Sequence, residues 1–222
     1  MTRVERAIAG AVVDHVGVRH LLTCPGLGLT SAASLVAVIG EVARFPRPAK
    51  LVSYLGLDPR VRQSGTRSFT GHISRAGQGH VRGLLIEAAH AAIRTPGPLR
   101  GFHARVEHRR GAGVAIVAVA RKLAVIAWHL LSKDEDYAWS PTLRSAEKVR
   151  AMERLAGDPR RLGRAGTTMG GPGAARERAG LEVAQAAYER FVAARARQRE
   201  ATAAKGERLD GPVEPGPAAP RS

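Results

Sequence analysis

The sequence predicts a mainly α-helical domain, and three observations carry that expectation. Apolar residues recur at helical spacing in one segment after another, with Gly or Pro between the segments. The hydrophobic fraction is 44% but aromatics make up only 4%, so Ala, Val, Leu and Ile fill the core. A chain of 222 residues is long enough to bury a sizeable core as one domain or two small ones.

Residues 3–16 space Val4, Ile8, Val12 and Val16 as a helix does, but they are weakly apolar. Residues 1–17 therefore read as the remnant of a linker helix, and 18–156 as the helical domain proper. Near 21–43 an apolar run ends at Pro25-Gly26-Leu27-Gly28, and a helix capped by Thr30 or Ser31 follows on Leu35, Val38 and Ile39. Two helical segments joined in this way have the pattern of a helix-hairpin-helix. RPAKLVSYLGL makes another short helix, stopped by Gly56 and Pro59. From Arg60 to Gly77 neither the helical nor the strand period lasts, which predicts an irregular basic Ser/Gly loop or a loose hairpin.

Residues 78–94 return to helical spacing on Val81, Leu84, Leu85, Ala88, Ala89 and Ala92, until Pro96 and Pro98 break it. Residues 99–109 and 113–132 make two further helices separated at Gly111, and 143–155 a last short one after the DYAWSP turn. Residues 157–222 run to Gly, Pro, Ala and Arg in low-complexity order, with room for one isolated helix at 174–204. So few large apolar groups cannot offset the entropy of ordering, so this tail is expected to be mostly disordered and dispensable for folding.

Lys and Arg number 35 against 19 Asp and Glu, a formal net charge of +16. The excess is uneven. Residues 44–82 hold eight Arg or Lys and one acid, Asp58, giving +7; residues 158–222 hold twelve against eight, giving +4 over a longer stretch. A local basic excess is the electrostatic footprint of nucleic-acid binding. The scarcity of rings weighs against a platform of base-stacking aromatics. Cys24 is the only cysteine, which excludes an internal disulfide and a cysteine-based zinc site and suits the reducing cytoplasm. The amino-terminal stretch lacks the apolar run and cleavage site of a signal peptide. The most apolar stretch, GVAIVAVARKLAVIAWHLL, is interrupted by Arg121 and Lys122, so a buried helix is expected there and not a membrane span.

The stretch RQSGTRSFTGHISRAGQGHVR, residues 62–82, contains no carboxylate. Within it Ser64 lies near Arg62 and Arg67, whose guanidinium forks suit phosphate oxygens. A serine attacks only when its proton is taken and the attacked group is held by positive charge. His72 is the nearest candidate base, and by spacing alone Ser64 reads first as a phosphate-contacting or turn serine. In the Pro-Gly-Leu-Gly turn, Gly26 and Gly28 let the backbone approach a phosphate closely, and Thr30 opens a helix whose free N–H groups attract anions. The alternative is a plain helix–helix turn. His103 and His108 are spaced one residue too far for a zinc-protease motif, so no metal site is expected. Trp128, Tyr137 and Trp139 read as packing residues. There is no Walker loop, and Gly-Leu-Gly lacks the third glycine of a dinucleotide fingerprint.

Six blocks in order are CPGLGLTSAASLVAVIGEVARF, LVSYLGLDP, QSG, GHISRAGQGHVRGLLIEAA, VAIVAVARKLAVIAWHLL and DYAW. Together, over roughly residues 18 to 140, they resemble the carboxy-terminal domain of insertion sequence 110 family transposases. The resemblance implies that Ser64 in QSG is catalytic, that Gly65, Gly71, Ser74 and Gly77 belong to the surrounding GxISxxG pattern, and that Arg62, Arg67, Arg75 and Arg82 line nucleic acid. It implies DNA and a bridge RNA as partners, and a homo-oligomer in which this serine joins the acidic site of another subunit. It places magnesium on an amino-terminal acidic domain without a counterpart here, so no cofactor is expected in this chain and a truncated transposase, inactive alone, is implied. The rival reading is a stand-alone helix-hairpin-helix module that binds DNA without sequence preference. That module accounts for the Gly-Leu-Gly turn and the charge, and leaves QSG and GHISRAG unexplained.

Overall fold

The computed structural model describes residues 3–64, 67–74, 76–140, 142–157 and 172–207. Its elements in chain order are α1 (Arg3–Val12), α2 (Val16–Thr23), α3 (Leu29–Ile39), a 3-10 turn (Val42–Arg44) and α4 (Pro48–Tyr54). The strands β1 (Pro59–Ser64) and β2 (Arg67–Ile73) follow, then α5 (Gly79–Ala92), α6 (Pro98–Arg110), α7 (Ala112–Lys133), α8 (Thr142–Ala156) and α9 (Pro172–Glu207). The fold is mainly helical, as the periodicity predicts.

The most apolar stretch lies at the centre. Ala115, Val119, Ala120, Leu123, Ala124 and Ala127 of α7 are fully buried, and the helix packs against α4, α5 and α6. Alanine on this face lets neighbouring axes approach closely. By length and composition α7 is the one described helix that could cross a membrane. Its alanine face is covered by protein, and Arg121 and Lys122 lie exposed on the other side.

Residues 3–16, read as one helix, divide into two. α1 ends at Val12, and α2 starts at Val16 after an extended residue at His15. The amino-terminal helix is part of the body: Ala9 is fully buried, and α1 packs on α8 and α3.

The carboxyl end of α2 is closed by α8. The Lys148 Nζ donates to the carbonyls of Leu22 and Cys24, both at 2.9 Å, satisfying groups that a helix end leaves open. Thr23 Oγ1 donates to the His20 carbonyl at 2.6 Å and accepts the Tyr137 N–H at 2.9 Å, fixing the turn after α7 to the same point. Burial pushes the Lys148 ammonium down to about 8, with Cys24 acting in the opposite direction and Arg144 adding to the fall. Burial pushes the Cys24 thiol up to about 12 against the pull of Lys148, and it also raises the Tyr137 hydroxyl.

The tail differs from the expectation in one respect. Residues 172–207 form a helix, and its first half is docked, not isolated. Leu181 and Ala184 are buried. Gln185 Oε1 accepts the Gly97 N–H at 3.1 Å and Glu177 Oε1 accepts the Leu143 N–H at 2.8 Å, so α9 caps the starts of α6 and α8. Two apolar contacts and two caps hold a segment whose composition alone argues for disorder.

The basic stretch is more regular than expected. β1 and β2 form an antiparallel hairpin with Ser64 opposite Arg67, Gln63 opposite Ser68 and Arg62 opposite Phe69, and an irregularity in register between Pro59 and Val61. Neither strand makes more than marginal contact with a described helix, so the hairpin stands out from the body.

Two outcomes are expected. Leu181→Ala should lower stability by about 1–2 kcal/mol, seen as a lower thermal midpoint; an unchanged midpoint would show that α9 adds nothing. The second concerns pH. Between about 8 and 10.5 Lys148 holds fewer protons folded than unfolded, so its contribution is gained as pH rises through that window. Between 9.0 and about 12 Cys24 holds more protons folded than unfolded, so its contribution is lost as pH rises there. Urea midpoints should therefore climb between about pH 8 and 9 and fall above about 10, where Tyr137 adds to the loss. Lys148→Met should abolish the climb.

Candidate functional site

Both legs of the hairpin are clasped where α4 ends and α5 begins. The Ser74 N–H donates to the Asp58 carbonyl at 2.8 Å, and Ser74 Oγ donates to Asp58 Oδ1 at 2.8 Å. Arg60 reaches across to donate to the Ser74 carbonyl at 2.9 Å. Gly56 and Gly77, with φ of +69° and +87°, let the returning chain lie directly on the carboxyl end of α4. A Cβ on Gly77 would run into the Tyr54 carbonyl oxygen, and one on Gly56 into that of Ala76. Only glycine combines that backbone conformation with that closeness.

Aromatic and basic groups brace the clasp from below. The Arg44 guanidinium lies 4.8 Å from the Phe45 ring centroid and 4.9 Å from that of Tyr54. Trp128 Nε1 donates to the Phe45 carbonyl at 2.8 Å, joining this corner to α7. Trp128 and Tyr137 are thus packing residues as expected, whereas Trp139 is 47% exposed.

The expected site residues divide by this geometry. Ser64 is the last residue of β1, in register with Arg67, and Arg62 is two residues before it on the same strand. The side chains of Ser64, Arg62, Arg67 and His72 lie outside the described residues, as do Gly65 and Arg75 entirely. Ser74, expected at nucleic acid, holds the hairpin root through Asp58. Arg82 donates to the Leu55 carbonyl at 3.4 Å, closing the end of α4. Sequence alone assigned Asp58, Arg60 and Gly56 no role at the hairpin root, where the fold brings them together. The repeated Gly at 56 and 77 was the available signal, since two turn glycines flanking a loop mark where chain meets chain.

The α2–α3 turn is built differently from the expectation. Gly26 has φ +86° and faces inward, where a Cβ would meet the Ala88 carbonyl oxygen and Ala92 of α5. Its lack of a side chain serves packing on α5. Gly28 is exposed, with open space around it, and it caps α3 in place of Thr30 or Ser31. Its N–H is taken by Ser31 Oγ at 2.9 Å, and that hydroxyl donates back to the Gly28 carbonyl at 3.0 Å. Thr30 is exposed in the first turn of α3. The Gly26 turn meets α5 near its carboxyl end and the hairpin root meets it near its start, which separates the two by roughly 15 Å along the helix axis.

Among the described residues no three His, Cys, Asp or Glu side chains lie close enough together to hold a metal ion.

The fold and clasp define a basic helical domain that holds out one carboxylate-free hairpin. Residues 18–104 match the family described as Transposase IS116/IS110/IS902 family. The chain is 33% identical over 141 residues to a probable family 20 transposase of Pseudomonas aeruginosa, covering 62% of this chain and 42% of that protein. It is 36% identical over 137 residues to the transposase for insertion sequence element IS1111A of Coxiella burnetii, covering 60% of this chain and 36% of that one. It is 30% identical over 111 residues to an uncharacterized 44.8 kDa protein of insertion element IS116 from Streptomyces clavuligerus, covering 48% and 27%. Over these residues the chain is similar to transposases of the IS110/IS116/IS902 family. The chain spans less than half the length of these curated relatives.

The two turn glycines should separate cleanly. Gly26→Ala should destabilise the fold by several kcal/mol, about 3 or more, because the new Cβ meets α5 backbone at positive φ. Gly28→Ala should cost under about 1 kcal/mol. Equal denaturation midpoints for the two variants would contradict this placement.

Proposed function

We propose that this chain supplies the DNA-contacting, serine-bearing part of a transposase of this family, acting in DNA transposition. The observation that carries the reading is the projecting hairpin within the matched segment, with Ser64 opposite Arg67 and no acidic residue between Pro59 and Arg82. In this reading Arg62, Arg67 and Arg75 contact phosphates, while Arg82 braces the hairpin root. Ser64 is the nucleophile: its Oγ forms a bond to phosphorus as the bond to a deoxyribose oxygen breaks, and that oxygen takes up a proton. Carboxylates able to hold magnesium come from outside the described residues, from an acidic domain of a partner subunit in a homo-oligomer. A bridge RNA selects the DNA, and the complex works in the cytoplasm. The exposed first turn of α3, at Thr30 beside Gly28, adds a second backbone contact of the helix-hairpin-helix kind.

A second reading, the stand-alone DNA-binding module, is favoured by the open space at Gly28 alone. Duplex titrations distinguish the two. For about five phosphates neutralised, log K should fall with log salt at a slope of about −4 to −5. Arg62→Gln with Arg67→Gln should make that slope shallower by about 1.8. Ser64→Ala should leave duplex affinity within about twofold, and should abolish strand exchange once the acidic domain, magnesium and bridge RNA are added. Salt-independent binding would overturn the DNA contact. Strand exchange surviving in Ser64→Ala would remove the nucleophile. If the arginine changes are silent and Gly28→Val loses the duplex, the stand-alone module is the better account.

A further inference from the structure

A second surface lies away from the hairpin, where the turn after α7 meets α8 and α9. Trp139, Leu143, Gly173, Arg176, Gly180 and Leu181 line an open cleft of about 430 Å³. A smaller hollow of about 180 Å³ adjoins it through Leu143, Glu177 and Leu181, and is rimmed by Arg94, Arg144 and Arg178. Trp139 is one of the few large apolar side chains left exposed, at 47%. Glycine at 173 and 180 keeps the facing side of α9 low, so the ring looks onto a shallow apolar floor.

The rim carries Arg94, Arg144, Arg176 and Arg178, and one carboxylate, Glu177, lines both cavities. Arg94, Arg144 and Arg176 have no acidic partner among the described residues. Arg178 is paired with Glu182 at 3.4 Å, and the Glu177 carboxylate accepts the Leu143 N–H. An exposed ring over an apolar floor, with guanidinium groups around it, matches a flat aromatic group tethered to phosphates. The bases of a duplex are already stacked on each other, so only an unpaired base reaches such a slot.

We propose that the Trp139 cleft binds single-stranded nucleic acid, stacking one base on Trp139 while Arg144, Arg176 and Arg94 hold the flanking phosphates. The site is independent of the duplex contact at the hairpin, and apart from Arg94 its residues lie outside the family-matched segment.

The test uses the full chain and a fluorescein-labelled, mixed-sequence single strand of about 20 nucleotides, longer than the strand length one such surface covers. DNA and RNA of the same sequence form two arms, and they assign the natural ligand by which binds more tightly. Trp139→Ala should weaken binding about tenfold, with the salt slope unchanged. Arg144→Gln with Arg176→Gln should make the slope shallower by about 1.4. Binding should quench tryptophan emission. Trp139→Phe should keep affinity within about threefold, since a phenyl ring still stacks, yet lose the quench because only Trp128 remains. Arg62→Gln with Arg67→Gln should weaken duplex binding and spare the single strand, so that failure of one site is distinguishable from failure of the other. The proposal is overturned if Trp139→Ala binds as wild type, if the quench persists in Trp139→Phe, or if poly-glutamate of equal charge displaces the strand. The last result would assign the cleft to an acidic protein partner.

Discussion

Backbone packed directly on backbone, at both ends of α5, is the constraint on which the rest of the structure depends. At the carboxyl end Gly26 brings the α2–α3 turn onto Ala88 and Ala92; at the amino end Gly56 and Gly77 bring the hairpin legs onto the end of α4. Each glycine has positive φ, and each would place a Cβ within the space of a carbonyl oxygen. A side chain at any of them meets both a conformational penalty and a steric one. α5 in turn packs on α7, so the two candidate contact regions are held at a set separation by the centre of the fold.

The distribution of charge shows why a net excess of cations is a poor map of an interface. Several arginines in or near the basic segment serve the fold: Arg44 lies over two rings, Arg60 and Arg82 close backbone carbonyls, and Arg19 joins the Val13 carbonyl to Glu153. A guanidinium with five donors is well suited to such bridging. Other cations stand outside such bracing: Arg94, Arg144 and Arg176 have no acidic partner among the described residues, and Arg121 and Lys122 lie exposed on α7. Asp58, the one acid in the basic segment, spends its charge on the Ser74 hydroxyl and steadies the hairpin root.

α9 illustrates order achieved with little apolar area. Leu181 and Ala184 supply the buried contact, while Glu177 and Gln185 satisfy amide donors at the starts of α8 and α6. A helix start left without partners is costly, so a glutamate or glutamine arriving from elsewhere in the chain gains twice: it docks its own helix and completes another. The same arrangement recurs at the end of α2, where Lys148 arrives from α8 to meet two carbonyls.

Helix positions, and most of their ends, were determined by the sequence itself. Apolar spacing located α3 to α8 but ran α1 into the start of α2, because burial of one face at 3.6-residue period is a local property, and Pro and Gly marked the breaks at 56–59, 96–98 and 111. The basic, carboxylate-free character of the segment around Ser64 was equally legible. Tertiary structure alone decided what each special residue is for. Gly26 and Gly28 look alike in a Pro-Gly-Leu-Gly turn, yet one is pressed against α5 and the other is open to solvent. Ser74 and Arg82 look free until Asp58 and the Leu55 carbonyl are brought beside them. The order of α9 likewise depends on partners more than thirty residues away in the chain, at Gly97 and Leu143. Pattern along a chain records which face is buried, but a hydrogen-bond partner or a steric neighbour distant in sequence leaves no periodic trace, and only the folded chain supplies it.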